Sequence, residues 1–163
     1  MVDALPLYDQ DFLAWTQDQA AALRDAARLG ANMPLDWENL AEEIESLGKS
    51  LRRELRSRIG VILEHLLKLE HSTSQEPRAG WMETVDRERS EIELLLEQNP
   101  SLRREVGEII TKEMPRAVRF ARRNLERHGE TGATRLASAQ YAEDQYAEDQ
   151  ILGDWWPGQD GGA

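Results

Sequence analysis

Arg58 and His65 are residue types that can take part in RNA cleavage, and their spacing places them on one face of a predicted helix. Six residues separate them, and together with Glu54 and Val61 they follow helical steps of four, three and four. An imidazole can act as acid or base near its ordinary pKa of about 6.5, and a guanidinium can stabilise a phosphorane. A histidine at the edge of a helical core stripe is also a common structural residue that hydrogen-bonds a neighbour. Both interpretations stay open at this point.

Carboxylates earlier in the same segment supply a second candidate chemistry. Glu38, Glu42 and Glu45 lie at i, i+4 and i+7, so they share one face of a helix. A mononuclear metal site would combine Glu42 or Glu43 with His65, which requires the segment between them to fold back. The paired Glu-x-x-His motifs of carboxylate di-iron bundles are absent from the sequence. We therefore predict no cofactor and keep Glu42, Glu43 and His65 as the candidate metal ligands.

The elements that carry these residues all show the periodicity of amphipathic α-helices. Helices are predicted over about 9–29, 36–72, 81–98 and 101–128. Gly48 leaves open whether segment 36–72 is one helix or two, and Pro115 predicts a kink or a division of the last helix. Strand-like alternation is missing. We predict an all-α fold, a four- to five-helix bundle with a partly extended C-terminal tail.

We predict that residues 1–163 form a single domain, with a core over about 8–128 and a tail, 129–163, that docks through Trp155 and Trp156. The tail contains a perfect tandem copy of Tyr-Ala-Glu-Asp-Gln at 141–150. The core stripe of the 36–72 segment is expected to consist of Trp37, Leu40, Ile44, Leu47, Leu51, Ile62 and Leu66.

Composition limits the classes of partner. The 163 residues include no cysteine, which excludes disulfides and thiolate chemistry. Their net charge is −11. No segment is apolar enough to span a membrane, and the first eight residues show no signal-peptide pattern, so we expect a soluble cytoplasmic protein. A protein partner or a homodimer is expected. The acidity argues against general nucleic-acid binding, but the basic residues of 101–128 leave that possibility open. These are Arg103, Arg104, Lys112, Arg116, Arg119, Arg122, Arg123 and Arg127.

The strongest motif is the run 36–48, which reads DWENLAEEIESLG. Further motifs lie at 8–19, 65–68, 100–102 and 150–157. In this order they resemble the bacterial domain-of-unknown-function family number twenty-nine, which is frequent in cyanobacteria and proteobacteria. The resemblance covers nearly the whole chain, and the duplicated pentapeptide departs from its pattern. It implies a helical fold and brings no catalytic residues with it.

No complete catalytic motif is present in the sequence, so we predict a structural or protein-interaction module rather than an enzyme. The first alternative is a metal-independent ribonuclease like those of HEPN domains, with Arg58 and His65 as its catalytic residues. The second alternative is a metal-binding helical bundle that uses carboxylates and histidine.

Overall fold

The computed structural model describes residues 6–138 and 146–158, so the first copy of the duplicated pentapeptide lies outside the described residues. The elements are α1 (Leu7–Gln10), α2 (Phe12–Arg28), α3 (Trp37–His71), α4 (Arg78–Gln98), a 3-10 helix (Pro100–Glu105), α5 (Val106–Arg127), α6 (Gly132–Ser138) and α7 (Glu148–Leu152). No strand occurs among these residues, and the predicted all-α fold is confirmed.

The structure resolves two questions about the long helices that the sequence left open. Segment 36–72 forms one helix, α3, of 35 residues. Helix α5 continues through Pro115, so of the two predicted effects of this proline, a kink or a division, the division does not occur. The start of the predicted 101–128 helix is the 3-10 turn Pro100–Glu105, and α-helical geometry begins at Val106.

The chain divides into two compact units. Unit 1 comprises residues 1–55 and 94–104, and unit 2 comprises 56–93 and 105–163, in each case as far as these are described. Helices α3 and α4 contribute residues to both units. That residues 1–163 make up a single domain stays a prediction.

Polar side chains at helix ends hold unit 1 together. The Asp11 carboxylate accepts a hydrogen bond from the Ala14 amide (2.9 Å) and so caps α2. It also accepts hydrogen bonds from the amide and the hydroxyl of Ser101, at 2.7 and 2.9 Å. The buried Asn99 side chain accepts one from the amide of Leu13 (3.1 Å). These contacts give a structural reason for the motifs at 8–19 and 100–102.

Helix α2 packs against the first half of α3 at very short range. A Cβ atom on Gly48 would lie 2.9 Å from both Leu13 Cδ1 and Thr16 Oγ1. Small residues, Ala41 and Gly48, therefore occupy buried positions of α3, and Leu55 follows them on the same side. Gly48 serves this close approach, and α3 continues through it without a break.

This packing corrects the predicted core. Leu40 and Leu47 are 40% and 47% exposed, because the buried face of α3 is rotated by one residue towards Ala41 and Gly48. The prediction that these two leucines belong to the core was wrong. Ile62 and Leu66, in unit 2, are fully buried as predicted.

Unit 2 contains most of the large aliphatic core, and its last segment packs around Arg89. This guanidinium donates hydrogen bonds to the carbonyls of Gln150 (2.8 Å), Ile151 (3.0 Å) and Trp155 (2.8 Å). It also lies 4.8 Å from the centre of the Trp156 ring. Arg89 is itself 8% exposed, and burial lowers its pKa, while Asp86 and Asp154 oppose that effect. One buried arginine thus binds the end of α7 and both tryptophans to α4.

Candidate functional site

Arg58, the proposed phosphate-binding residue of a ribonuclease, is held by two carboxylates of unit 2. Its guanidinium donates hydrogen bonds to Glu88 (3.0 Å) and Glu91 (3.2 Å) on α4. A phosphate approaching this arginine would meet two negative charges already in place. The arrangement binds α3 to α4 and offers no surplus positive charge to an RNA substrate.

His65 has the geometry of a structural histidine. Its Nδ1 lies 2.8 Å from the carbonyl oxygen of Val61, one helical turn earlier, a distance at which a protonated Nδ1 donates a hydrogen bond. Burial, together with the nearby positive charge of Lys68, holds the pKa of His65 below its ordinary value of 6.5. The imidazole is therefore neutral at pH 7, as expected for a histidine at the edge of a core.

The candidate metal ligands do not come together. Glu42 and Glu43 are exposed residues of unit 1, and His65 belongs to unit 2. A metal site that combines Glu42 or Glu43 with His65 requires the segment between these residues to fold back, whereas α3 is continuous. Within residues 6–138 and 146–158, no three side chains of the metal-ligating types form a cluster.

A small cavity between α3 and α5 of unit 2 involves a residue that the sequence analysis missed. The Glu113 carboxylate is 3% exposed and accepts hydrogen bonds from Nε (2.9 Å) and Nη2 (2.5 Å) of Arg56. Arg116 lies 3.8 Å from its other oxygen. The cavity measures about 100 Å³ and is also lined by Ser57 and Gly60. A glutamate in phase with the apolar stripe of α5 was the available signal for this ion pair, in which Glu113 is buried and Arg56 is half exposed.

The most distinctive surface of unit 1 is apolar. Nine large apolar side chains are strongly exposed among the described residues, and all but Phe120 of unit 2 belong to unit 1. On α3 the exposed Leu40 and Leu47 alternate with two half-buried residues, Ile44 and Leu51. We call these four residues the α3 stripe. Their steps of four, three and four match the seam along which two helices pair.

Charge is unevenly distributed along the same helix. Residues 36–45 include five acids and no base, whereas 46–55 include three bases and one acid. Arg24 of α2 donates hydrogen bonds to Glu38 and Glu45, both at 3.3 Å. The bond to Glu45, followed by the nearby charge of Lys49, lowers the pKa of Glu45. Glu42 and Glu43 have no ion-pair partner in the part of the chain that the structure describes. The stripe therefore runs from an acidic segment, 36–45, to a basic segment, 46–55.

None of the helices in the described ranges is long and apolar enough to cross a membrane.

Comparison with known proteins agrees with this architecture. The chain is similar to an alpha-helical protein of unknown function from Rhodospirillum rubrum, with a TM-score of 0.72 and 27% sequence identity over 93% of this chain and 92% of that chain. No curated protein sequence matches the chain. A family model described as "Domain of unknown function DUF29" matches residues 7–156. The chain therefore belongs to the DUF29 family.

Proposed function

We propose that this protein is a helical protein-interaction module and that its binding surface is the α3 stripe. The exposure of Leu40 and Leu47 carries the proposal, because both lie on a helix whose neighbouring face is buried. Complete burial of a leucine contributes roughly 1.5–3 kcal/mol. A partner that covers the exposed parts of Leu40 and Leu47 gains the corresponding share of that free energy.

The partner that best fits the stripe is a second copy of this chain in the antiparallel direction. That arrangement places Leu40 of one copy opposite Leu51 of the other, and Ile44 opposite Leu47. It also places the acidic segment 36–45 opposite the basic segment 46–55. Parallel pairing would put acids against acids. The antiparallel pair is two-fold symmetric and closed, which is the commonest form of a soluble homodimer.

The exposed fractions of the two leucines determine how tightly two copies of the chain are expected to associate. Burying the exposed parts of Leu40 and Leu47 in both copies contributes about 3–5 kcal/mol at the usual value for leucine. A dissociation constant of 1 mM already corresponds to about 4 kcal/mol. With the help of Ile44 and Leu51, we expect association at tens to hundreds of micromolar, roughly 6 kcal/mol or less.

Sedimentation velocity over a series from about 5 to 500 μM, a range that brackets this estimate, tests the proposal. Wild type should shift from monomer to dimer, and a Leu40→Glu/Leu47→Glu variant should stay monomeric. The matched control is Leu29→Glu/Met33→Glu, which adds the same charge at exposed positions of unit 1 that are not part of the stripe. Circular dichroism verifies that each variant is folded. A monomeric wild type at every concentration, or equal behaviour of the two variants, would refute the proposal.

We place the protein in the cytoplasm of a bacterium, because a chain without cysteine suits a reducing compartment. Neither the geometry nor the relatives support the ribonuclease or the metal-binding alternative.

A further inference from the structure

Helix α5 carries a basic ridge in unit 2 that the proposed interaction does not use. Arg116, Arg119, Arg123 and Arg127 recur at steps of three and four, so they follow one flank of the helix, and all four are exposed. Glu126 is the only acid between positions 114 and 127 of the sequence. We call these four arginines together with Phe120 the α5 ridge.

The structure separates the cations of this helix into two groups. Lys112 and Arg122 each form an ion pair with a glutamate four residues away on α5. Arg119, Arg123 and Arg127 have no hydrogen bond or ion pair with residues 6–138 and 146–158. None of the described residues therefore neutralises the positive charge of the second group through an ion pair, even though the whole chain is acidic.

Phe120 gives the ridge a second property. Its ring is 43% exposed and is the one large apolar side chain strongly exposed in the described part of unit 2. The Arg116 guanidinium lies 5.4 Å from the ring centre. Beside them opens the cavity described above, with Arg56 and Ser57 on its wall. Arg116 also forms the 3.8 Å ion pair with Glu113, whereas the other three arginines of the ridge have no ion-pair partner among the described residues. An exposed aromatic residue on the same helix as such arginines is a combination that binds unpaired nucleotides, because bases stack on the ring and phosphates pair with the guanidinium groups.

We propose that the α5 ridge binds single-stranded RNA without sequence preference. Steps of three to four residues place successive arginines about 4.5–6 Å apart along the helix axis, a spacing on the scale of neighbouring phosphates in an extended strand. All four cations are arginine, whose planar fork matches phosphate oxygens. An acidic peptide could pair with the arginines but would leave Phe120 without a stacking partner. The net charge of −11 opposes a polyanion, so binding is weak and strongly salt-dependent.

Fluorescence anisotropy with a labelled oligouridine of about twelve nucleotides, a length within the usual single-strand site sizes, tests this inference on the full chain. The titrations are made in EDTA at ~50 and ~150 mM KCl, a range over which phosphate contacts weaken measurably. Three to four phosphate contacts predict a slope of log affinity against log salt of about −2 to −3. We expect a dissociation constant of about 10–100 μM at the lower salt concentration, within the usual range of non-specific affinities.

Two variants with the same change in charge separate the ridge from general electrostatics. Arg119→Glu/Arg123→Glu should weaken binding at least about tenfold, as expected for the loss of two phosphate contacts. Arg103→Glu/Arg104→Glu alters exposed arginines of unit 1 and should change affinity less than about threefold. Phe120→Leu should weaken binding about fivefold or more without changing the salt slope, because only stacking is lost.

Three results would overturn the inference. The first is no binding at the lower salt concentration. The second is an equal loss of affinity in the two arginine variants, which would assign the effect to net charge. The third combines two observations: a polyglutamate peptide at equal charge concentration displaces the RNA, and Phe120→Leu has no effect on binding. Together they would show that the ridge is a surface for acidic peptides. Self-association of the α3 stripe is measured independently, so failure here leaves that proposal unaffected.

Discussion

Replacing Gly48 by alanine tests whether α2 and α3 approach each other as closely as the structure shows. A Cβ atom at this position would lie 2.9 Å from Leu13 Cδ1 and 2.9 Å from Thr16 Oγ1. Both neighbours are fully buried, and the Thr16 hydroxyl is already bonded to the Leu13 carbonyl (2.7 Å). Neither side chain can move aside without disturbing its own packing.

The expected magnitude follows from comparison with Gly60 on the same helix. A Cβ atom on Gly60 would lie 3.7 Å from the Glu113 carboxylate, an ordinary van der Waals contact. Both glycines are in the interior of α3, so alanine at either one adds about 1 kcal/mol of helix propensity. At Gly48, but not at Gly60, the added methyl group also overpacks the contact with α2, which costs about 1–3 kcal/mol. Gly60→Ala should therefore stabilise the protein, and Gly48→Ala should be about 1–3 kcal/mol less stable than Gly60→Ala.

Urea unfolding of wild type and the two variants, followed by circular dichroism, measures this difference. Because the propensity gain is common to both variants, it cancels in the comparison. Equal stabilisation by Gly48→Ala and Gly60→Ala would show that α2 does not touch α3 at Gly48. The explanation for the exposed Leu40 and Leu47 would then be refuted as well.

Three further predictions concern single side chains. Leu47→Ala should cost at most about 1 kcal/mol, because the residue is 47% exposed, whereas Leu66→Ala should cost about 2–5 kcal/mol in the same unfolding assay. Arg89→Ala should lower the free energy of unfolding by about 2–4 kcal/mol, because three buried hydrogen bonds are lost. The control Arg87→Ala, which removes an exposed ion pair on the same helix, should change it by less than about 0.5 kcal/mol. Burial is the main cause that lowers the pKa of His65 in the folded protein. As the pH drops below about 6.5, the imidazole is therefore protonated in the unfolded chain before it is protonated in the folded one, and the free energy of unfolding decreases. His65→Gln should lose less stability than wild type between about pH 7.5 and 5.5, and equal losses would contradict this linkage.

The sequence predicted the helices well because their periodicity is a local property. Segment 36–72 was identified as helical to within one residue at each end, and the structure has α3 at Trp37–His71. What the sequence could not predict is the rotation of its buried face. Leu40 and Leu47 look like core residues until α2 is placed against Gly48, and that contact depends on residues more than thirty positions away.

The candidate site shows the same division between local and long-range information. The spacing of Arg58 and His65 was visible in the sequence, but the carboxylates that hold Arg58 lie about thirty residues further along the chain. Arg89 and Glu113 are buried charges at apolar phases of their helices, and their partners come from other segments. A charged residue within an apolar stripe indicates that a partner exists but does not identify it.

Oxidative cross-linking of single-cysteine variants tests the proposed interface most directly, because the chain has no other cysteine. Antiparallel pairing of two α3 stripes brings position 40 of one copy next to position 51 of the other. A mixture of Leu40→Cys and Leu51→Cys should therefore form disulfide-linked dimers, whereas Leu40→Cys alone should not, since its two copies lie roughly 16 Å apart along the helices. No cross-link in the mixture, or an efficient one with Leu40→Cys alone, would contradict the antiparallel dimer.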